Sequence, residues 1–228
     1  MDAWVWVEKN RKQVIIGVAA VAVVGLVIGY TSWSRATREE EAGQALSQAL
    51  FNGATRSGAA DASAQFLKIA SENSGTKSGA QALLLAGEAL FNSGKYAEAQ
   101  ATFDQFARDN ANSPLMAQAL YGSGAALAAQ GKLAEAAQAY KNVVDRYPSS
   151  PVVSLARYSE ANALATEGKL AEAVALYEEV ARGSAGSSLG NEAALRAEEL
   201  RAKLPPPAAL PAVTTAPASN SVSVPVEK

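Results

Sequence analysis

A unit of 37 residues recurs along this chain without an insertion, and no other feature limits its fold so sharply. The cycles begin at Ser57, Gly94, Gly131 and Gly168. The later three share an opening, seen in Gly94-Lys95-Tyr96-Ala97-Glu98-Ala99 and repeated over Gly131 to Ala136 and Gly168 to Ala173. A fixed period of this size means that each unit buries its apolar face only against its neighbours. The chain therefore stacks into a helical solenoid, a fold that grips other chains and seldom carries out chemistry.

The columns of the repeat predict how the helices pack. Phe66, Phe103, Tyr140 and Tyr177 share one column, and Ala62, Ala99, Ala136 and Ala173 lie one helical turn earlier on the same face. Ile69, Phe106, Val143 and Val180 continue the stripe. Small residues beside aromatic ones suit two crossing helices, with a ring from one filling the gap on the other. A partner helix repeats as Gln44-Ala45-Leu46, Gln81-Ala82-Leu83 and Gln118-Ala119-Leu120, with Ala156 and Ala193 keeping the alanine column. Leu90, Leu127 and Leu164 form another column, preceded by Gly87, Gly124 and Ala161.

Punctuation falls between these faces. Gly94, Gly131 and Gly168 occupy the C-terminal glycine position of one helix of each pair. Ser113-Pro114 and Ser150-Pro151 read as Ser N-caps followed by Pro at the first helical position. Each cycle then holds two helices of roughly 13–17 residues. The last helix, about 187–203, carries charge on several faces and reads as a solubilising cap.

Ahead of the repeats, 22 uncharged residues lie between Lys12 and Arg35, rich in Val, Ile, Ala and Leu. Roughly 20 residues suffice to cross a hydrocarbon core about 30 Å thick. Trp4 and Trp6 precede the run and Tyr30 and Trp33 close it, as interfacial rings do. The run exceeds a signal-peptide core and ends without a clear Ala-x-Ala site, so a retained anchor is expected. Lys9, Arg11 and Lys12 against Arg35 and Arg38 favour an N-terminus inside and the bulk of the chain outside. No proline occurs before Pro114, so the apolar helix is expected to run on into the first solenoid helix. Gly25 and Gly29 form a GxxxG through which two spans could pair as a homodimer.

Composition excludes several functions. The formal charge of -2 gives no basic excess for nucleic acid. The chain has no Cys and no His. No thiolate site, disulfide, HExxH centre or His-based catalytic triad can be built, and no cofactor or metal site is expected. No glycine-rich phosphate loop follows a strand, and an enzyme is not expected. Six of the nine prolines fall in residues 205–228, where Ala, Ser, Thr and Val fill the rest, so that tail is expected to be disordered.

The pattern Gly-x-Tyr/Leu-x-x-Ala-x-x-x-Phe/Tyr, followed by Tyr147-Pro148-Ser149-Ser150-Pro151, resembles tetratricopeptide repeats (TPR) over about 42–204. The extended type found in bacterial envelope proteins, such as those of the Tol-Pal and outer-membrane assembly systems, is the most similar. Leu46, Leu83 and Leu120 stand where a large aromatic is often found, and Arg157 stands in that same column. With a short basic N-terminus, one retained span and no lipid-anchor Cys, the whole chain resembles the membrane-anchored TPR-like proteins of the ancillary SecYEG translocon subunit family. The expected fold is all-α: one N-terminal transmembrane helix, then a TPR-like α-solenoid of about four hairpins plus a capping helix. Residues 1–13 form a short cytoplasmic N-terminus, 14–34 the span, 35–204 the solenoid and 205–228 the tail.

The resemblance implies a non-enzymatic scaffold in the bacterial inner membrane, with its solenoid in the periplasm near the translocon or periplasmic chaperones. A coordinator of envelope assembly or cell division, of the Tol-Pal type, is the alternative. Binding would use the concave face, lined by the first helix of each pair, and its candidate residues are Glu88, Gln118, Tyr121, Arg157, Tyr158 and Asn162. Lys95, Lys132 and Lys169 read as a solvated turn, and Glu39-Glu40-Glu41 as a solvated acidic start to the domain.

Overall fold

Helices account for nearly all of the chain that the computed structural model describes, residues 11–56 and 59–205. The side chains of 13–15, 17–19 and 52–61 are outside that description. So are the expected N-terminus before residue 11, Ser57 at the head of the first cycle, and the expected tail beyond 205. Nine helices and no strand occur among the described residues: α1 (Arg11–Arg56), α2 (Ala59–Glu72), α3 (Lys77–Asn92), α4 (Tyr96–Asp109), α5 (Met116–Ala129), α6 (Leu133–Arg146), α7 (Val153–Thr166), α8 (Leu170–Gly183) and α9 (Ser188–Arg201). Four hairpins, α1/α2 to α7/α8, are followed by α9 as the cap. The first helices touch one another from repeat to repeat (α1 with α3, α3 with α5, α5 with α7, α7 with α9), whereas the second helices do not. The first helices therefore line the tighter, inner face of the stack.

The aromatic column forms the core. Phe66, Phe103, Tyr140 and Tyr177 are buried, as are Ile69, Phe106, Val143 and Val180 one turn on. Burying such side chains contributes roughly 1.5–3 kcal/mol apiece. The small residues opposite them are sites of contact. A Cβ on Gly87 would lie 2.6 Å from the Phe103 ring, one on Gly122 also 2.6 Å from it, and one on Gly124 2.9 Å from the Tyr140 ring. Phe103 is thus clasped between the backbones of α3 and α5.

Gly94, Gly131 and Gly168 take φ of +77°, +78° and +84°, the left-handed conformation that glycine adopts without penalty. The next residue in each case, Lys95, Lys132 or Lys169, donates its N–H back to Leu90, Leu127 or Leu164 at 3.0, 3.0 and 2.9 Å. This closes a Schellman turn and satisfies carbonyls left open at the helix end. All three lysines are exposed.

The other junctions correct the sequence reading. Ser113 and Ser150 are not helix N-caps: α5 begins at Met116 and α7 at Val153, each after a turn closed by Met116 N–H to Ser113 O or Val153 N–H to Ser150 O, both 3.1 Å. Among the described residues Ser113 Oγ accepts from the Leu115 N–H alone, at 3.2 Å. Each proline sits inside this short turn rather than at the head of the helix. Side-chain caps occur instead at Thr76 and Ser187, which accept from Gly79 and Gly190 N–H at 2.9 and 3.0 Å. These turns are tight, since a Cβ on Gly79 would meet Asn73 O at 2.1 Å.

Glu39 is not simply solvated. Its carboxylate accepts from Lys77 N–H (2.7 Å), Ser78 N–H (2.8 Å) and Ser78 Oγ (2.7 Å), so α1 caps the N-terminus of α3. Burial raises the Glu39 pKa, but these hydrogen bonds from Ser78 and Lys77 outweigh it and hold the carboxyl below its ordinary value. The partly positive helix N-terminus favours the anion as well.

The helix α1 is unbroken across residues 32–40. Among its described side chains Ala42, Leu46 and Ala49 are buried, packed against Phe66, Ile69, Ala82 and Ala86. Further back Val21, Leu26, Ile28, Tyr30 and Trp33 are exposed, and no atom outside the helix lies within 4 Å of a Cβ placed on Gly25 or Gly29. Among the described residues no helix is long and apolar enough to cross a membrane. Six of the positions in the uncharged run, 13–15 and 17–19, fall outside that description.

Candidate functional site

The inner face divides along its length. From α3 to α7 it holds a groove of about 540 Å³, lined by Glu88, Phe91 and Asn92 of α3, Gln118, Tyr121, Gly122 and Ala125 of α5, and Val152 and Leu155 at the head of α7, with Phe103 as its floor. The groove exists because Gly122 and Ala125 are small where the helices approach. That volume suits a few side chains of a bound segment.

Three of the six residues singled out from sequence meet there. Gln118 Nε2 donates to Glu88 Oε1 at 3.0 Å, bridging α3 and α5. The Tyr121 ring packs on Tyr140, with centroids 5.4 Å apart, and its hydroxyl meets Ser159 Oγ at 3.3 Å. Arg157, Tyr158 and Asn162 do not line the groove. Arg157 pairs with Glu179 of α8 at 3.2 Å, which resolves why a charge stands in a leucine column: the side chain leaves the core and is only half-buried. Tyr158 packs on Tyr177 at 5.3 Å and donates to Glu192 Oε1 at 3.4 Å. Asn162 accepts from the Tyr177 hydroxyl. Burial beside Tyr158 pushes the Tyr177 pKa up to about 12, so that hydroxyl is a donor at any physiological pH.

Sequence reasoning missed Phe91, Asn92, Gly122, Ala125, Val152 and Leu155 as groove residues. One signal was available. Leu155 occupies the column of Gln81 and Gln118, and an apolar residue in a polar column, 39 % exposed, marks a surface that expects cover. A larger recess of about 690 Å³ lies between α2 and α4, lined by Leu67, Lys68, Ser71, Gly75, Gln105 and Asp109 among others. It is more polar and lacks a clustered aromatic anchor, so the inner groove is the better binding surface.

No group of acidic side chains that could hold a metal ion occurs among the described residues. Glu160 of α7 is buried, and that burial raises its pKa, which Lys141 and Arg157 partly counter and Asp145 and Glu179 reinforce. It belongs to the packing of α7 against α6 and α8 and not to the groove.

Residues 84–151 match the tetratricopeptide repeat family profile. Among solved structures, the MamA RS-1 ArsTM double mutant is similar over 73% of this chain and 96% of its own, with a TM-score of 0.51 and 17% identity. A variant of a putative kinesin light chain from Podosopora anserina, built of nearly identical TPR-like repeats, is similar over 73% of this chain and 91% of its own, with a TM-score of 0.51 and 18% identity. No curated protein sequence matches the chain. Identities this low speak for the fold alone. Over its described residues the chain folds as an all-α, TPR-like helical-repeat solenoid.

Proposed function

We propose that this protein is a non-enzymatic, membrane-anchored scaffold that holds protein or peptide segments on the inner face of its solenoid. The observation that carries the binding role is the groove across α3, α5 and α7, where apolar and aromatic side chains converge beside Glu88, Asn92 and Gln118. Anchoring is supported by the uncharged run between Lys12 and Arg35 and by the exposed apolar side chains from Val21 to Trp33, which need lipid or protein cover. The unbroken α1 would then join the anchor directly to the first solenoid helix.

The flanking lysines and arginines favour the solenoid on the outer side of a bacterial inner membrane, and the resemblance of the whole chain to the ancillary translocon subunit family implies a place near the translocon or periplasmic chaperones. Two measurements test this reading. Protease added to spheroplasts should degrade the solenoid while leaving an N-terminal fragment in the membrane; a protected solenoid would move it to the cytosol. A photoreactive phenylalanine analogue in place of Ala125 should crosslink secretion or envelope proteins in intact cells. If the same proteins are captured when the analogue replaces an outward residue such as Gln138, the groove is not the binding surface.

A further inference from the structure

The groove offers one charge, and it is negative. Among the described residues, Glu88 is the only ionisable carboxylate or base that lines it. Gln118 occupies Glu88 Oε1, while Oε2 has neither a hydrogen bond nor an ion pair among the described residues. The helix forming the opposite wall, α5, contains no charged residue at all. Arg157, the charged residue on α7 nearest in sequence to Leu155, is committed to Glu179. A carboxylate entering this groove would find no cation and would be repelled by Glu88; a cation would find an unpaired oxygen beside apolar walls, where screening is weaker than in open solvent.

Building on the scaffold reading, we propose that the groove selects an extended peptide segment carrying an aliphatic or aromatic side chain with a lysine or arginine close by. The apolar side chain seats against Tyr121, Val152 and Leu155. The basic residue lays its methylene stem along Phe91 and places its charge on Glu88 Oε2. Acidic segments are excluded by the same Glu88.

The test uses the purified full chain in mild detergent and a library of random dodecapeptides with one position fixed in turn as each amino acid. The expected result is enrichment of Lys and Arg at one position within a few residues of an apolar preference, with binding roughly tenfold above the Asp or Glu pools. Glu88→Gln, which keeps the shape and the contact with Gln118, should shrink that ratio below about threefold without lowering the unfolding midpoint. Enrichment of acidic residues, no charge preference, no binding at all, or a preference unchanged in Glu88→Gln would each overturn the proposal. A preference that emerges only after residues 206–228 are deleted would mean that the chain's own tail is the occupant, and would overturn it too. Crosslinking at Ala125 to specific envelope proteins, with no cation preference in the library, would leave the scaffold reading standing while this inference fails.

Discussion

The two halves of the inner face are built on one backbone plan and end in opposite chemistry. Between α3 and α7 the face is a groove; between α7 and α9 the equivalent positions carry hydrogen-bonding side chains. Moving one period along the chain turns Gly122 into Ser159, Ala125 into Asn162 and Leu155 into Glu192. Each change replaces a gap or an apolar surface with a hydrogen-bonding group. Ser159 meets Tyr121, Asn162 accepts from Tyr177, and Glu192 accepts from Tyr158 and pairs with Arg196 at 3.2 Å. A repeat fixes where side chains point, and a few substitutions within it decide whether that place is a site or a wall.

The most severe way to break the contrast is to remove the floor of the groove. Phe103→Ala should cost about 3–5 kcal/mol in urea unfolding, because the ring fills the space between Gly87 and Gly122. Gly122→Ser, which imports the residue found one period on at Ser159, should cost about 1–3 kcal/mol, since its Cβ would sit 2.6 Å from that ring. It should also abolish peptide binding measured by fluorescence anisotropy. A gain in binding would show that the groove does not depend on this gap.

Two carboxylates sharpen the comparison through pH. Glu39, held below its ordinary 4.5, contributes stability that is present above that pH and lost as the pH falls through its folded value. Glu39→Gln should therefore lower stability by about 1 kcal/mol at neutral pH, with the difference shrinking in acid. Glu160 has the opposite sign. Its folded pKa lies above 4.5, so its ionised form is a cost at neutral pH that fades as the pH falls through the raised value and is gone below 4.5. Glu160→Gln should raise the neutral-pH unfolding midpoint slightly, and the gain should vanish in mild acid. The smallest effect is expected from Tyr158→Phe, within about 0.5 kcal/mol, because its bond to Glu192 is exposed and long.

Much of the fold was legible because its determinants lie within one period. The Phe66-to-Tyr177 column, the alanines one turn before it and the three left-handed glycines each follow from spacing along a single hairpin. The cap positions were misplaced at Ser113 and Ser150 because a Ser-Pro pair reads the same whether it opens a helix or the turn before one. Of the candidate site, Glu88, Gln118 and Tyr121 were placed together, whereas Arg157, Tyr158 and Asn162 share their face but not their surroundings.

What the sequence determined by itself is therefore the repeat: helix lengths, the buried stripe, the glycine turns and the uncharged run ahead of them. These depend on local periodicity, which any chain with this pattern would share. The tertiary structure decided which surfaces meet. Only stacking brings Glu39 of α1 onto the head of α3, leaves Gly122 over Phe103 as the floor of a groove, and turns Arg157 out of the core toward Glu179. Those contacts join residues from different helices, and their geometry is set by how one hairpin packs on the next.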